Sequence, residues 1–222
     1  MTPGPIDFYF DYLSPYAYFA WRRIPALAAR FQRELKIHPV VFGKLLDHWG
    51  QLGPAEIPPK SKWLQSYCLR YAALNEFEFN PPKYHPFNPL AALRLSLQEV
   101  CGAQQHLVIQ SIFAAGWSQG KDLGDLPTLI SILESAGIDA AVIAGKINNA
   151  DVKQLLVEET ENAIALGVFG VPTMILDGQF FWGNDQLEHI ELLLESNDPL
   201  DLEKLELLGS RPRKIDRKAV RK

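Results

Sequence analysis

Cysteine is nearly missing from this chain: Cys68 and Cys101 are the only two in 222 residues, and they do not form a Cys-X-X-Cys pair. Both fall in predicted helices without paired-ligand spacing, so they read as buried reduced thiols rather than a disulfide or a metal site. The five histidines, His38, His48, His85, His106 and His189, are scattered, with no two at the spacing of helical zinc ligands, and no metal is predicted. Long apolar runs are also missing. No segment approaches the length needed to span a bilayer, and Met1-Thr-Pro-Gly-Pro lacks the charged stretch and apolar core of a secretory leader. The expectation is a cytoplasmic protein without a membrane partner. Collagen-like, repeated and low-complexity patterns are absent. Positive charge is scarce outside the C-terminus: residues 211–222 hold seven basic and one acidic residue, a net +6, so a total of −4 leaves −10 on the rest. A body of that sign excludes nucleic acid as its partner, and the basic end reads as a solvated terminus.

What is present begins with a 47% hydrophobic content, enough for one elaborated domain or two small ones. Two segments far apart in the chain stand out. The first, Asp7-Phe-Tyr-Phe-Asp-Tyr-Leu-Ser-Pro-Tyr16, is a β-prone run leading to Ser14-Pro15, a helix cap followed by proline in the first turn. Tyr18, Trp21, Ile24, Leu27, Ala28 and Phe31 then recur at three- and four-residue steps, predicting an amphipathic helix that Pro25 kinks or breaks. The second segment is Gly167-Val-Phe-Gly-Val-Pro-Thr173. It follows a helical stretch, and Pro172 opens the apolar strand Thr173-Met-Ile-Leu176. Asp177-Gly178 predicts a hairpin returning as Gln179-Phe-Phe-Trp182, and Gly183-Asn184-Asp185 starts a further helix. Taken alone, Ser14 reads first as a plain helix cap, Asn184 and Asp185 read equally well as caps, and Lys60 reads as a solvated surface lysine.

The middle of the chain has a different pattern. Trp63, Leu64, Tyr67, Tyr71 and Leu74 predict one helical stripe; Asn88-Pro89 opens a helix through Leu93, Leu97 and Val100. Residues 107–117 predict a third helix, and Asp125 caps a fourth ending near Gly137. The proline-rich stretches Gly53-Pro-Ala-Glu-Ile-Pro-Pro59 and Pro81-Pro-Lys-Tyr-His-Pro-Phe87 are expected as loops on the rim of a cleft.

In order of elements the chain resembles an α/β thioredoxin-like fold of the DsbA and kappa-class type, carrying a large all-helical insertion. The implied division is a discontinuous thioredoxin-like domain, 5–49 with 151–196, a helical insertion over 50–150, and a charged tail over 197–222. Ser14-Pro-Tyr-Ala17 falls where redox relatives place Cys-X-X-Cys, and Val171-Pro172 where they place a cis-proline loop, so disulfide exchange is excluded at this position. Ser14-Pro-Tyr, Phe87-Asn-Pro-Leu-Ala-Ala-Leu-Arg94 and Phe181-Trp-Gly-Asn-Asp185 are similar to the 2-hydroxychromene-2-carboxylate isomerases and their kappa-class glutathione transferase relatives.

The resemblance implies glutathione as cofactor, an aromatic small molecule as substrate, and a homodimer. It implies that Ser14 holds the sulfur as thiolate, helped by the helix start, and that Val171 and Pro172 pair with the cysteinyl part. Trp182, Gly183, Asn184 and Asp185 would take the γ-glutamyl end, and Lys60 the glycyl carboxylate. A free thiol has a pKa near 8.5, and a charge-assisted hydrogen bond of roughly 1.5–3 kcal/mol lowers it by about one to two units. The implied reaction is reversible thiolate addition to a conjugated double bond, rotation and elimination, taking 2-hydroxychromene-2-carboxylate to trans-o-hydroxybenzylidenepyruvate in naphthalene-type degradation. Two positions depart from the family: Gln51 where relatives often have asparagine, and Gln186 where they often have arginine. A kappa-like transferase and a non-catalytic thioredoxin-fold binding module are the alternatives.

Overall fold

The computed structural model describes residues 4–212, in two compact units, one ending at Leu187 and the other beginning at Glu188. The first unit is organised by a four-stranded sheet of order β2-β1-β3-β4, formed by β1 (Ile6–Phe10), β2 (Leu35–Pro39), β3 (Thr173–Leu176) and β4 (Gln179–Trp182). β1 runs parallel to β2, with Phe8 opposite Ile37, and antiparallel to β3, with Phe8 opposite Met174; β3 and β4 form an antiparallel hairpin. The parallel pair is joined by two helices, α1 (Pro15–Trp21) and α2 (Ile24–Arg30), because parallel strands need a crossover.

Alternation along β1 sends side chains to two cores. Phe8 packs on Trp21 at 5.9 Å between ring centroids and Phe10 on Phe113 at 5.4 Å. On the other face Tyr9 joins Val40, Leu45, Ala163, Val168 and Val171. Ile6, Phe8 and Phe10 are completely buried, which stabilises each by roughly 1.5–3 kcal/mol over exposure.

The two expected end regions are present. The first helix breaks at Arg22–Arg23, and Pro25 sits in the first turn of α2, where its missing N–H costs no hydrogen bond. At the other end α10 (Ala150–Leu166) stops at Gly167, whose φ of 95° only glycine adopts freely. The Val171–Pro172 bond is cis, and Asp177 (φ 49°) with Gly178 (φ 81°) make the tight β3–β4 turn.

Between α3 (Phe42–Trp49) and α10 the chain holds no strand among the described residues. It contains α4 (Pro58–Leu74), α5 (Leu90–Leu95), α6 (Gln98–Cys101), α7 (Gln105–Phe113), α8 (Leu126–Ser135) and α9 (Ala140–Ala144). Three details differ from the pattern. Helix α4 begins inside the proline-rich stretch expected to be a loop, because Pro58 and Pro59 occupy its first turn, where proline is tolerated. The helix expected from Asn88 through Val100 is two, broken between Leu95 and Gln98. In α4 it is Cys68 and Ala72 that are buried, while Trp63 and Leu74 are exposed and Trp63, Tyr67 and Tyr71 stack along the helix flank.

The second unit holds α11, which spans Leu187–Leu194 from the boundary, and α12 (Leu202–Gly209), whose Asp201 cap accepts from the Lys204 N–H at 2.9 Å. Helix α12 lies in the stretch read as a charged tail; Leu202, Leu205 and Leu208 at three-residue steps were its signal. The basic run from residue 213 onward lies outside the described residues. No helix among the described residues is long and apolar enough to cross a membrane.

Candidate active site

Ser14 caps α1 and also joins the two ends of the chain. Its Oγ accepts from the Ala17 N–H at 3.1 Å, and its hydroxyl donates to the Val171 carbonyl at 3.2 Å, across 157 positions of sequence. Its extended backbone (φ −95°, ψ 114°) and 6% exposure fit a buried helix cap. The loop carrying Val171 and Pro172 is held from three sides. Thr173 Oγ1 donates to the Gly170 carbonyl at 2.8 Å, the Gly183 N–H to the Pro172 carbonyl at 3.0 Å, and the Trp49 indole to the Val168 carbonyl at 2.9 Å.

Asp11, three residues before Ser14, is fully buried and accepts from the N–H groups of Leu13 and Phe42 at 3.0 and 2.9 Å. Burial pushes its carboxyl up to about 7, while the two N–H donors pull the other way. The sequence marked this residue only as a strand end.

Asn184 and Asp185 lie in a 3₁₀ turn, Asn184–Gln186, packed against α1. Their roles separate. Asn184 is 1% exposed, and its amide donates to the Tyr67 hydroxyl at 3.3 Å, whereas Asp185 is exposed and offers its carboxylate to the surface. Gly183 has φ 110°, and a Cβ there would sit 2.5 Å from Asp185 Oδ1, so glycine is required for the turn. Tyr67 was read only as part of an apolar stripe, yet it contacts both Asn184 and, edge to face at 5.2 Å, Tyr16. Burial raises both phenols, keeping them protonated donors. Trp182 is about half exposed and packs on Phe169 at 5.0 Å over Gly170. Lys60 stands exposed in the first turn of α4; among the described residues no hydrogen bond or ion pair joins it to the Ser14 cluster. Gln51 follows α3, with its N–H on the Leu46 carbonyl.

Beside Ser14 opens a cleft of about 420 Å³ that includes Pro15, Leu64, Leu69, Phe79, Trp117 and His85 in its lining. Ala55 and residues 81–83 complete its edge, so both proline-rich stretches do border a cavity. Cys68 also lines it, while Cys101 is buried elsewhere; burial pushes both thiols up to about 12, which keeps them unreactive. A second groove of about 430 Å³ runs along β2, bordered by Glu34, Glu99, Glu159, Lys36 and His38. There the His38 ring is held between Asp7 and Glu159, each at 2.9 Å, and stacks on Tyr9 at 4.6 Å. The two carboxylates raise its pKa against the effect of burial.

With this geometry in hand, comparisons place the chain. Residues 5–195 match the model of the DSBA-like thioredoxin domain. The chain is 31% identical to a 2-hydroxychromene-2-carboxylate isomerase of Pseudomonas sp. (strain C18), over 84% of this chain and 88% of that protein. It is 26% identical to a glutathione S-transferase kappa 2 of Caenorhabditis elegans, over 83% and 89%. Among solved structures it resembles a 2-hydroxychromene-2-carboxylate isomerase with a TM-score of 0.79 at 26% identity, covering 93% of this chain and 99% of that one.

Proposed function

Since the chain belongs to the DSBA-like thioredoxin family and, within it, to the 2-hydroxychromene-2-carboxylate isomerases, we propose that it is a glutathione-dependent isomerase of an unsaturated aromatic keto acid. The substrate we assign is 2-hydroxychromene-2-carboxylate, with trans-o-hydroxybenzylidenepyruvate as product. The observation that carries this reading is the Ser14 hydroxyl bonded to the carbonyl before Pro172, because it brings a lone hydroxyl, and no thiol of the protein, to the meeting point of the two motifs.

The donor set fits the tripeptide. Ser14 supplies a hydroxyl for sulfur, the loop of Val171 and Pro172 a backbone edge beside it, and Asp185 an exposed carboxylate for the γ-glutamyl ammonium. Asn184 and Gly183 shape the turn that presents Asp185, Trp182 covers its side, and Lys60 offers its ammonium to the glycyl carboxylate. When bound, glutathione supplies a thiolate able to add reversibly to a conjugated double bond and release its rotation.

The protein's own part is electrostatic. The Ser14 hydroxyl has one proton, donated in this structure to the Val171 carbonyl; a turn about Cβ–Oγ redirects it to sulfur without moving the backbone. The oxygen keeps its bond from the Ala17 N–H throughout, so the cap survives the switch. Such a charge-assisted hydrogen bond is worth roughly 1.5–3 kcal/mol, enough to favour the anion near neutral pH. The division into a thioredoxin-like domain of 5–49 with 151–196 around an insertion of 50–150, and assembly as a homodimer, belong to the same proposal.

Calorimetry with glutathione, combined with product analysis after turnover, tests it. Uptake of the tripeptide and its recovery unchanged are expected. Glutathione consumed in step with substrate would favour the kappa-like transferase, a reading that the kappa-class relatives support. No uptake, with turnover equally fast without glutathione, overturns the proposal.

A further inference from the structure

The four residues that lead from β1 to α1 carry Ser14 into place, and their polar groups are bonded to several elements. The Ser14 N–H closes a turn on the Asp11 carbonyl at 3.1 Å, the Tyr12 carbonyl accepts from the Trp117 indole at 2.9 Å, and the Leu13 carbonyl bonds His85 Nε2 at 2.8 Å. The Asp11 side chain adds two further bonds, one local and one distant. Its Oδ1 accepts from the Leu13 N–H at 3.0 Å, as an aspartate does when it folds back on the backbone two residues on. Its Oδ2 accepts from the Phe42 N–H at 2.9 Å, 31 positions away.

The distant bond falls where a helix needs it. Phe42 opens α3, and the residue before it, Val41, has no side-chain oxygen with which to cap that helix. Asp11 supplies the cap from another element, and the helix start favours its negative charge. From there α3 runs to the second motif. Leu45 is completely buried in the cluster that holds Val168 and Val171, and Trp49, the last residue of the helix, donates its indole N–H to the Val168 carbonyl at 2.9 Å. One carboxyl therefore grips the turn before Ser14 with one oxygen and, with the other, the helix that braces the loop of Val171 and Pro172. A carboxylate accepts at both oxygens, whereas an amide has one acceptor. The fold keeps this group at 0% exposure with two N–H dipoles and, among the described residues, no cation as partners, although such burial costs desolvation energy.

We propose that Asp11 is the positioning residue of this site, setting Ser14 against the Val171 carbonyl by clamping the Ser14 turn to α3. The inference rests on the proposed function for what Ser14 does to sulfur; the clamp itself requires no glutathione. It keeps the Ser14 oxygen on the Ala17 N–H and the hydroxyl 3.2 Å from Val171, and a misplacement of about 1 Å in such a group costs on the order of 100-fold in rate.

The test is a double-mutant cycle in kcat/KM with glutathione and 2-hydroxychromene-2-carboxylate at pH 8, above the value of about 7 to which burial raises the carboxyl. Asp11→Asn should lower kcat/KM about tenfold or more, although at that pH the loss of a buried charge does not weaken the fold. Added to Ser14→Ala, the same change should cost less than about twofold, because a residue that acts through Ser14 has nothing left to place. Phe42→Pro should repeat the pattern with Asp11 intact. It deletes the distant donor at a first-turn position that accepts proline, and Val41 (φ −84°, ψ 100°) already has the extended backbone required before one. Equal losses in the parent and in Ser14→Ala, no loss in either, or a loss that Phe42→Pro fails to reproduce overturns the inference. Amide exchange in the glutathione-free protein keeps this reading apart from the cofactor reading. In Asp11→Asn the Ala17 amide, which Ser14 Oγ holds, should exchange about tenfold faster, while that of Met174 in β3 stays within about twofold. An unchanged Ala17 rate sinks the positioning role whatever glutathione does; a faster one, in a protein whose turnover ignores glutathione, sinks the cofactor reading alone.

Discussion

Two cavities of nearly equal size, about 420 and 430 Å³, differ in charge and in what they touch. The cleft beside Ser14 is aromatic and proline-rich, with Lys83 as its formal charge, and its walls bond the carbonyls of Tyr12 and Leu13. The groove along β2 is bordered by three glutamates, and one of them, Glu159, already holds His38. Volume does not tell a working site from a surface groove. Wiring does: the walls of one cavity bond the backbone just ahead of the hydroxyl that joins the two motifs, while in the other His38, held by Asp7 and Glu159, ties β2 to β1 and α10.

That contrast can be broken in several places, the largest effect being at Asp11. A carboxyl raised from its ordinary 3.8 to about 7 by burial binds more protons folded than unfolded. Its contribution to stability is therefore full below pH 3.8 and is lost as pH rises to 7 and above, by about 4 kcal/mol in all. Asp11→Asn should remove this slope. Because one amide cannot accept from both Leu13 and Phe42, the variant should be about 1–3 kcal/mol less stable than the parent at pH 4 and, once the parent has lost its about 4 kcal/mol, about 1–3 kcal/mol more stable at pH 8. Urea titrations across that range measure it, and an unchanged slope would exonerate Asp11.

Next comes Ser14→Ala. Losing the cap should cost about 1 kcal/mol of stability, whereas losing the hydroxyl should lower kcat/KM by roughly 10- to 100-fold. If only stability changes, Ser14 is a cap and nothing more, and the chain is left as a thioredoxin-fold binding module.

The groove predicts the opposite pattern, an effect on stability without one on turnover. His38 has a raised pKa in the fold, so its ion pairs stabilise fully below the unfolded value near 6.5 and are lost as pH climbs through the higher folded value. His38→Gln should abolish that loss, a change of about 1 kcal/mol for a partly exposed pair, while leaving kinetics alone. The smallest effect is expected from Glu99→Gln, which removes a groove carboxylate: kcat/KM should stay within about twofold. A clear change would tie the groove to turnover and erase the contrast.

Much of the fold was legible in order and type of element. Ser14-Pro15, Gly167 and Asp177-Gly178 each announce a boundary by local stereochemistry, and each boundary is found there. The helical middle was legible in outline but not in detail: Pro58 and Pro59 look like helix breakers until they fall in a first turn, and residues 88–100 keep one period across a break. The site was legible only where a motif carried it. Tyr67 and Asp11 were invisible as site residues, because a tyrosine in an apolar stripe and an aspartate at a strand end have ordinary meanings until burial and partners are known.

The sequence by itself determined the punctuation of this protein: where helices start, where the hairpin turns, and that no cysteine pair stands at the first helix. Those features are local, set by the dihedral preferences of a few adjacent residues. Tertiary structure alone decided that Ser14 meets Val171, that Asn184 turns inward to Tyr67 while Asp185 faces out, and that one cavity is free of carboxylates. Such pairings depend on side chains far apart in the chain sharing one desolvated space, and a linear pattern carries no distance between them.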